Sequence, residues 1–313
     1  MTLDNDNKTQ MMAMEIVCRE LFEKGGKYGE MNRKDIDLLR IAIPVFKAKG
    51  FGLKEFWKTL MGSGGSDGNE GSDVGDGKVW SLMGILMGVE GVVDKRRGGK
   101  WWKEIVGRWG ERSSLPVEYL GVVGRLEEIP EEIEEEAVGD LEMIGGRVER
   151  GERGERMSFE EISGLVRIGG RLLRGGRGME LVKRLLGEIE EGKGESGLEE
   201  IYLVGELMEV IESLDGIEMG GIVLLMGGEI PGGVRVDEKI RGIAAITVVK
   251  ACLRFQEFAN RYVGTVGVPL RSGGHESLKL NCLVGLWDLN VEYSATVNPL
   301  LEDVTNSFFD ESV

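Results

Sequence analysis

The side chains that most often carry chemistry near neutral pH are scarce in this chain. There is a single histidine, His275, and there are three cysteines, Cys18, Cys252 and Cys282, far apart in sequence. Imidazole and thiolate are the usual groups for proton transfer and for transition-metal ligation in that range. His275 stands between Gly274 and Glu276, a setting that fits a loop or helix-cap residue better than a lone acid/base. Three cysteines without paired spacing fit a reducing compartment better than a disulfide scaffold. Asp67, Asn69, Asp73 and Asp76 fall short of the twelve-residue calcium loop. Gly192-Lys-Gly-Glu-Ser-Gly197 matches G-x-G-x-x-G in form only. It follows an acidic helical stretch rather than a strand, so it reads as a turn between helices and not as a dinucleotide site. No catalytic residue, metal ligand or cofactor is expected, and the chain is read as non-enzymatic.

Cations are the groups that remain, and their chemistry would be phosphate binding. Arg167, Arg171 and Arg174 follow one another at spacings of four and three, which places them within about 60° on a helix, opposite Ile162, Leu165, Val166, Ile168, Leu172 and Leu173. Three guanidinium groups in a row suit a nucleic-acid backbone. The competing expectation is a solvated face whose arginines pair with the acidic run at 131–136. Lys250, Arg254 and Arg261 form a second ridge on the expected helix Asp237 to Val263. Arg96, Arg97, Lys100 and Trp101 form a third group, since mixed cations and indoles suit single strands that stack their bases. Trp102, Ile105, Val106 and Trp109 nearby read instead as a core face.

These patches sit on an acidic whole. The formal net charge is -16, which disfavours nucleic acid and anionic membranes on average. Charge is segregated, however: residues 164–184 hold six bases and one acid, residues 125–142 hold nine acids and one base, and Leu280 to Val313 hold six acids with no lysine or arginine. A segregated pattern can line a basic groove on an acidic particle. The longest uncharged stretch, Val79 to Val89, has eleven residues, against roughly 20 needed to span a bilayer. No membrane partner and no secretory signal are expected, and the location is expected to be the cytoplasm, or a virion if the chain is viral.

The elements that must position these residues read as helices. At 313 residues the chain is long enough for two or three domains. The expected divisions are an N-terminal helical segment over 1–61, a flexible Gly/Ser/Asp linker over 62–77, a middle helical domain over 78–230, and a C-terminal helical domain with an acidic tail over 231–313. Helices are expected at 11–24, 32–49, 53–60, 79–93, 101–109, 114–128, from Pro130 onward, and at 159–174, 179–191, 197–214, 237–263, 276–289 and 300–308. Ser158-Phe-Glu-Glu161 and Ser196-Gly-Leu-Glu199 match capping boxes, and Asn298-Pro299 reads as a cap with a first-turn proline. Ile217 to Met226 is apolar enough to be a buried strand or helix. Fifty glycines, many inside helix-period segments such as Gly84, Gly169 and Gly205, weaken the helices and place the burden on packing. The expected fold class is all-α and multi-helical, with two lobes and flexible terminal arms.

Taken together, the sequence leads to a self-assembling structural protein that binds nucleic acid, RNA before DNA, of nucleocapsid or coat type. Its architecture is compatible with helical nucleoproteins or capsid proteins of RNA viruses, although no motif carries the likeness. The alternative is an acidic helical adaptor for other proteins, with the arginines taken up in internal pairs. Oligomerisation is expected through Leu300, Leu301, Val304, Phe308 and Phe309, docked as a short arm on the chain itself or on a neighbour. The acidic tail also offers a place for a protein partner.

Overall fold

The computed structural model describes residues 80, 84, 103, 105–126, 128–144, 156–191, 197–228, 236–271, 275–300 and 305. Every regular element among them is a helix, so the fold is all-α. The expected segments and helices before residue 79, the linker and most of the 79–93 helix lie outside the described residues. By packing, the chain divides into two units, one through Ile129 and one from Pro130 onward.

In the first unit a 3-10 turn, Trp109–Ser114, leads to the short helix α1, Glu118–Val123. Its buried centre is apolar and aromatic: Trp80, Ile105, Trp109, Tyr119, Val122 and Val123. The Trp80 and Tyr119 rings meet edge to face at 4.9 Å, and the Tyr119 hydroxyl donates to the Ile105 carbonyl at 2.6 Å. Ile105 and Trp109 thus lie in the core, as expected of that segment. α1 is shorter than expected at both ends. It begins two residues after Pro116, whose carbonyl accepts the Tyr119 amide. Beyond Val123 the chain tightens into three-residue bonds, Arg125 N–H to Val122 and Leu126 N–H to Val123.

The second unit opens with α2, Glu131–Glu142, which starts at Pro130 and carries Glu131, Glu132 and Glu134 in its first turn. Acids there complement the positive end of the helix dipole. α3, Phe159–Ile168, begins with the full capping box: the Glu161 amide donates to Ser158 Oγ at 3.2 Å, and the Ser158 amide donates to Glu161 Oε2 at 2.7 Å. The expected continuous helix to residue 174 is interrupted. A single turn, Gly170–Leu172, passes into a wide π turn, Leu173–Arg177, in which Gly176 takes a φ of 112°. That backbone suits glycine. It lets α4, Gly178–Glu190, leave in a new direction without a loop.

α5, Leu198–Val210, and α6, Gly220–Gly227, follow. Ser196 lies outside the described residues, and α5 starts at Gly197 without a side-chain cap. The apolar stretch around Ile217–Met226 is resolved in favour of a helix, ended by Gly228 in the left-handed region. The expected helix over 237–263 is in fact two, α7, Glu238–Arg254, and α8, Gln256–Val266. Phe255 between them is extended, at φ −132° and ψ 110°. A short turn, α9, Val268–Arg271, then leads to α10, Glu276–Glu292, and α11, Ser294–Val297. Asn298–Leu300 is a 3-10 turn directly after α11, and Thr305, within the expected 300–308 helix, is helical; the rest of that helix beyond Leu300 lies outside the described residues.

α7 is the centre of this unit. α5, α6, α8 and α10 all pack against it, so residues on nearly every side of it are buried, including Gly242, Ala244, Ala245, Val248, Val249, Ala251 and Cys252. Small side chains allow such close neighbours. The expected boundary at 230–231 falls inside this unit, since α5 and α6 precede it and α7 follows it.

Candidate functional site

Arg167, Arg171 and Arg174 are all exposed, and Ile162, Leu165, Val166, Ile168 and Leu173 opposite them are buried. The helical-wheel placement therefore holds across the Gly169 junction, where the Leu173 amide still reaches the Gly169 carbonyl at 2.9 Å. The middle arginine is engaged. Arg171 Nε and one of its terminal nitrogens both reach Glu134 Oε2 at 2.9 Å, and Glu134 is only 5% exposed. Arg177, one turn further on, reaches Glu135 and Glu142, and these two carboxylates hold its guanidinium above its usual range. Arg184 donates to the Glu142 and Ile144 carbonyls at 2.9 and 3.2 Å, closing the C-terminal end of α2. Arg167 and Arg174 have no carboxylate partner among the described residues.

The second ridge is divided by the break at Phe255. Lys250 and Arg254 lie on α7 and Arg261 lies on α8, so a single-helix wheel does not align them. Lys250 is turned into the α5–α7 crossing, where Glu206 and Glu209 of α5 receive its ammonium, Glu209 at 2.8 Å. Burial works against its charge, but the hydrogen bonds from the two carboxylates outweigh it and hold the ammonium above its usual range. The same crossing holds Tyr202, stacked on Phe159 at 4.3 Å and hydrogen-bonded to Ser163 at 2.8 Å. Burial pushes the Tyr202 phenol up. Arg254 lies 5.7 Å from the Phe255 ring, and Arg261 meets Glu218 at 2.8 Å on the surface.

Arg96, Arg97, Lys100 and Trp101 lie outside the described residues. So do Leu301, Val304, Phe308 and Phe309 of the expected arm. Leu300, the first arm residue, is buried within its own chain, with its side chain against Gly267. His275 is the N-cap of α10: its Nδ1 lies 3.0 Å from the Ser277 hydroxyl and faces the Ser277 amide. Cys252 and Cys282 are free and buried, and burial pushes both thiols up to about 12. Among the described residues no group of histidines, cysteines and carboxylates has a metal-holding arrangement.

One surface was not anticipated from the sequence. On α10, Leu280 and Val284 are 54% exposed, Trp287 is 67% exposed and Val291 is 75% exposed. Their spacings of four, three and four place them within about 60° on the helix. Leu278, Cys282, Leu286 and Leu289 fill the opposite face and are buried. Scattered apolar residues are ordinary on a surface, whereas these four, an indole among them, line up along one face of a single helix. No helix among the described residues is long and apolar enough to cross a membrane. No protein-family model matches this sequence, and comparison with curated proteins and with solved structures returns no significant match.

Proposed function

We propose that this chain is a non-enzymatic helical interaction protein whose recognition surface is the apolar face of α10. The observation that carries this reading is the exposed stripe Leu280, Val284, Trp287 and Val291, on a helix whose other face is already committed to the core. The ion pairs agree with it. Arg171, Lys250 and Arg261, three of the cations expected to face phosphate, are met by Glu134, by Glu206 and Glu209, and by Glu218. The net charge of -16 disfavours a polyanionic partner on average. A designed amphipathic helix of leucine, alanine and lysine is a suitable probe. It is expected to bind the wild-type chain and to lose that binding in Trp287→Lys, read by fluorescence anisotropy of the labelled peptide. Equal binding to both would refute the assignment.

A second reading, a nucleic-acid-binding structural protein of nucleocapsid or coat type, is favoured by Arg167 and Arg174. Both are exposed and lack carboxylate partners among the described residues. Two such cations on a single strand imply a salt slope of about −1.4 in log K against log salt. Binding of an unstructured RNA oligonucleotide at low salt that disappears in Arg167→Ala/Arg174→Ala would favour this reading. No binding at low salt would eliminate it.

A further inference from the structure

We infer that the Leu280–Val291 face of α10 takes a basic amphipathic helix of another protein, one that lays an apolar row on the stripe and lysines or arginines along its edges; this rests on the interaction-protein reading above. The charges beside the stripe carry the inference. On a helix of 3.6 residues per turn, Asp288 stands about 40° beyond Val284 on one edge, with Glu292 about 40° further round, and Glu276 stands about 20° beyond Trp287 on the other edge. All three carboxylates are exposed. The one base of α10, Lys279, is buried, and no lysine or arginine occurs from Leu280 to Val313. Ser277 and Asn281, on the same side of the helix as Asp288, are uncharged.

That edge chemistry separates the surfaces an apolar helix face can meet. A helix that beds into an anionic bilayer carries lysines and arginines on its flanks, and the exposed side of α10 carries none. A second copy would bring acids to acids, and nucleic acid would bring phosphates to them. A basic helix offers opposite charge on both edges while its apolar side covers the indole. The stripe is about 16 Å long, so three turns of a partner helix cover it, with anchors at intervals of three and four. Each charge pair at such an exposed edge is weak and is screened by salt. The pairs therefore choose between partners, and the apolar row holds whichever partner is chosen.

Three labelled helical peptides test this, with one leucine and alanine face in common and polar faces of lysine, glutamine or glutamate, each titrated with the full chain by fluorescence anisotropy. The lysine peptide is expected to bind best and the glutamate peptide worst, about tenfold apart at low salt, with the gap closing as salt rises. Trp287→Gln removes the indole without adding charge and is expected to weaken all three. Asp288→Lys/Glu292→Lys inverts the order, with unchanged circular dichroism, since both side chains are exposed and lysines suit the C-terminal end of a helix. Glu212→Lys/Asp215→Lys makes the same change in net charge in the loop after α5. Because α5 meets α7 at Thr247 and α10 meets it at Val249, on opposite faces, that pair leaves the order unchanged. Equal affinity for the three peptides, lost in Trp287→Gln, would overturn the basic partner alone and leave the interaction reading standing. No binding of any peptide, or binding indifferent to Trp287→Gln, would overturn both. An order that survives Asp288→Lys/Glu292→Lys, or that inverts with the loop pair, overturns the charge argument. Co-sedimentation with phosphatidylglycerol vesicles that is lost in Trp287→Gln would assign the face to a membrane instead.

Discussion

Gly205 of α5 faces Thr247 of α7 so closely that a β-carbon on Gly205 would stand 2.8 Å from the Thr247 hydroxyl oxygen. Thr247 is itself fixed, donating to the Ile201 carbonyl at 2.9 Å inside the same crossing. The neighbouring crossing repeats the arrangement, with Gly285 of α10 against Val249 of α7. These glycines are not wasted helix propensity. They set how closely two helices approach the central one, and the lost propensity is offset by contacts that a larger residue would forbid.

Gly205→Ala is therefore expected to destabilise the second unit despite alanine's better helix propensity. The added methyl must displace Thr247 or separate α5 from α7, at a net cost of about 1–3 kcal/mol. Gly187→Ala on α4 is the control, because nothing lies within 4 Å of its would-be β-carbon. It is expected to stabilise by about 0.5–1 kcal/mol through propensity and unfolded-state entropy. Urea denaturation of both variants beside the wild type reads the two signs. A stabilised Gly205→Ala would mean that the crossing relaxes freely.

Much of the fold was legible because it was written locally. The Ser158–Glu161 box, the acids after Pro130 and the apolar periods of α3, α4 and α10 are short-range signals, and each marks a helix found in the structure. What was not legible depends on neighbours. Asp237 to Val263 reads as one helix because its residues are apolar on nearly every side, and no proline or glycine marks the break at Phe255. Small residues all around α7 are the trace of four packed neighbours, a relationship that a helical wheel cannot display.

The candidate site shows the same division. The spacing of Arg167, Arg171 and Arg174 correctly gave three exposed arginines on one side, while the partner of Arg171 is 37 residues away on α2. Lys250 lies on the same helix as Arg254, yet its ammonium is drawn into an adjacent crossing by Glu206 and Glu209. The α10 stripe was present as a pattern, but Leu278, Cys282, Leu286 and Leu289 make an equally apolar face on the same helix. Only the packing against α7 decides which of the two faces is core.

The arginine stripe should respond unequally to alanine. Arg171→Ala leaves the Glu134 carboxylate, 5% exposed, without its guanidinium, and the expected loss of stability is about 1–2 kcal/mol. Arg167→Ala and Arg174→Ala remove solvated side chains and are expected to change stability by less than about 0.5 kcal/mol. Glu134→Gln combined with Arg171→Ala should recover part of the first loss, because a neutral amide is less costly to bury than a lone charge. Thermal denaturation of the four variants tests the order, and equal losses across the three arginines would contradict it.

Alkaline pH should unfold the chain through its buried thiols and one phenol. Burial pushes Cys252 and Cys282 from 9.0 to about 12, and pushes Tyr119 from 10.0 to about 12. In each case the folded state keeps a proton that the unfolded state releases, so the stabilisation is complete below the unfolded value and is lost as pH rises toward the folded one. Stability is accordingly expected to fall from about pH 9 upward for the thiols, and from about pH 10 for Tyr119. Both thiols should also resist iodoacetamide in the native chain at pH 8 and react once urea unfolds it, since the thiolate is the nucleophile. Cys252→Ala/Cys282→Ala should flatten the loss between pH 9 and 10, at the price of two small cavities. Denaturation midpoints across this range, together with mass spectrometry of the alkylated cysteines, provide the check. Rapid native alkylation of Cys252 or Cys282 would contradict their burial against α7's neighbours and remove the thiol share of the pH dependence.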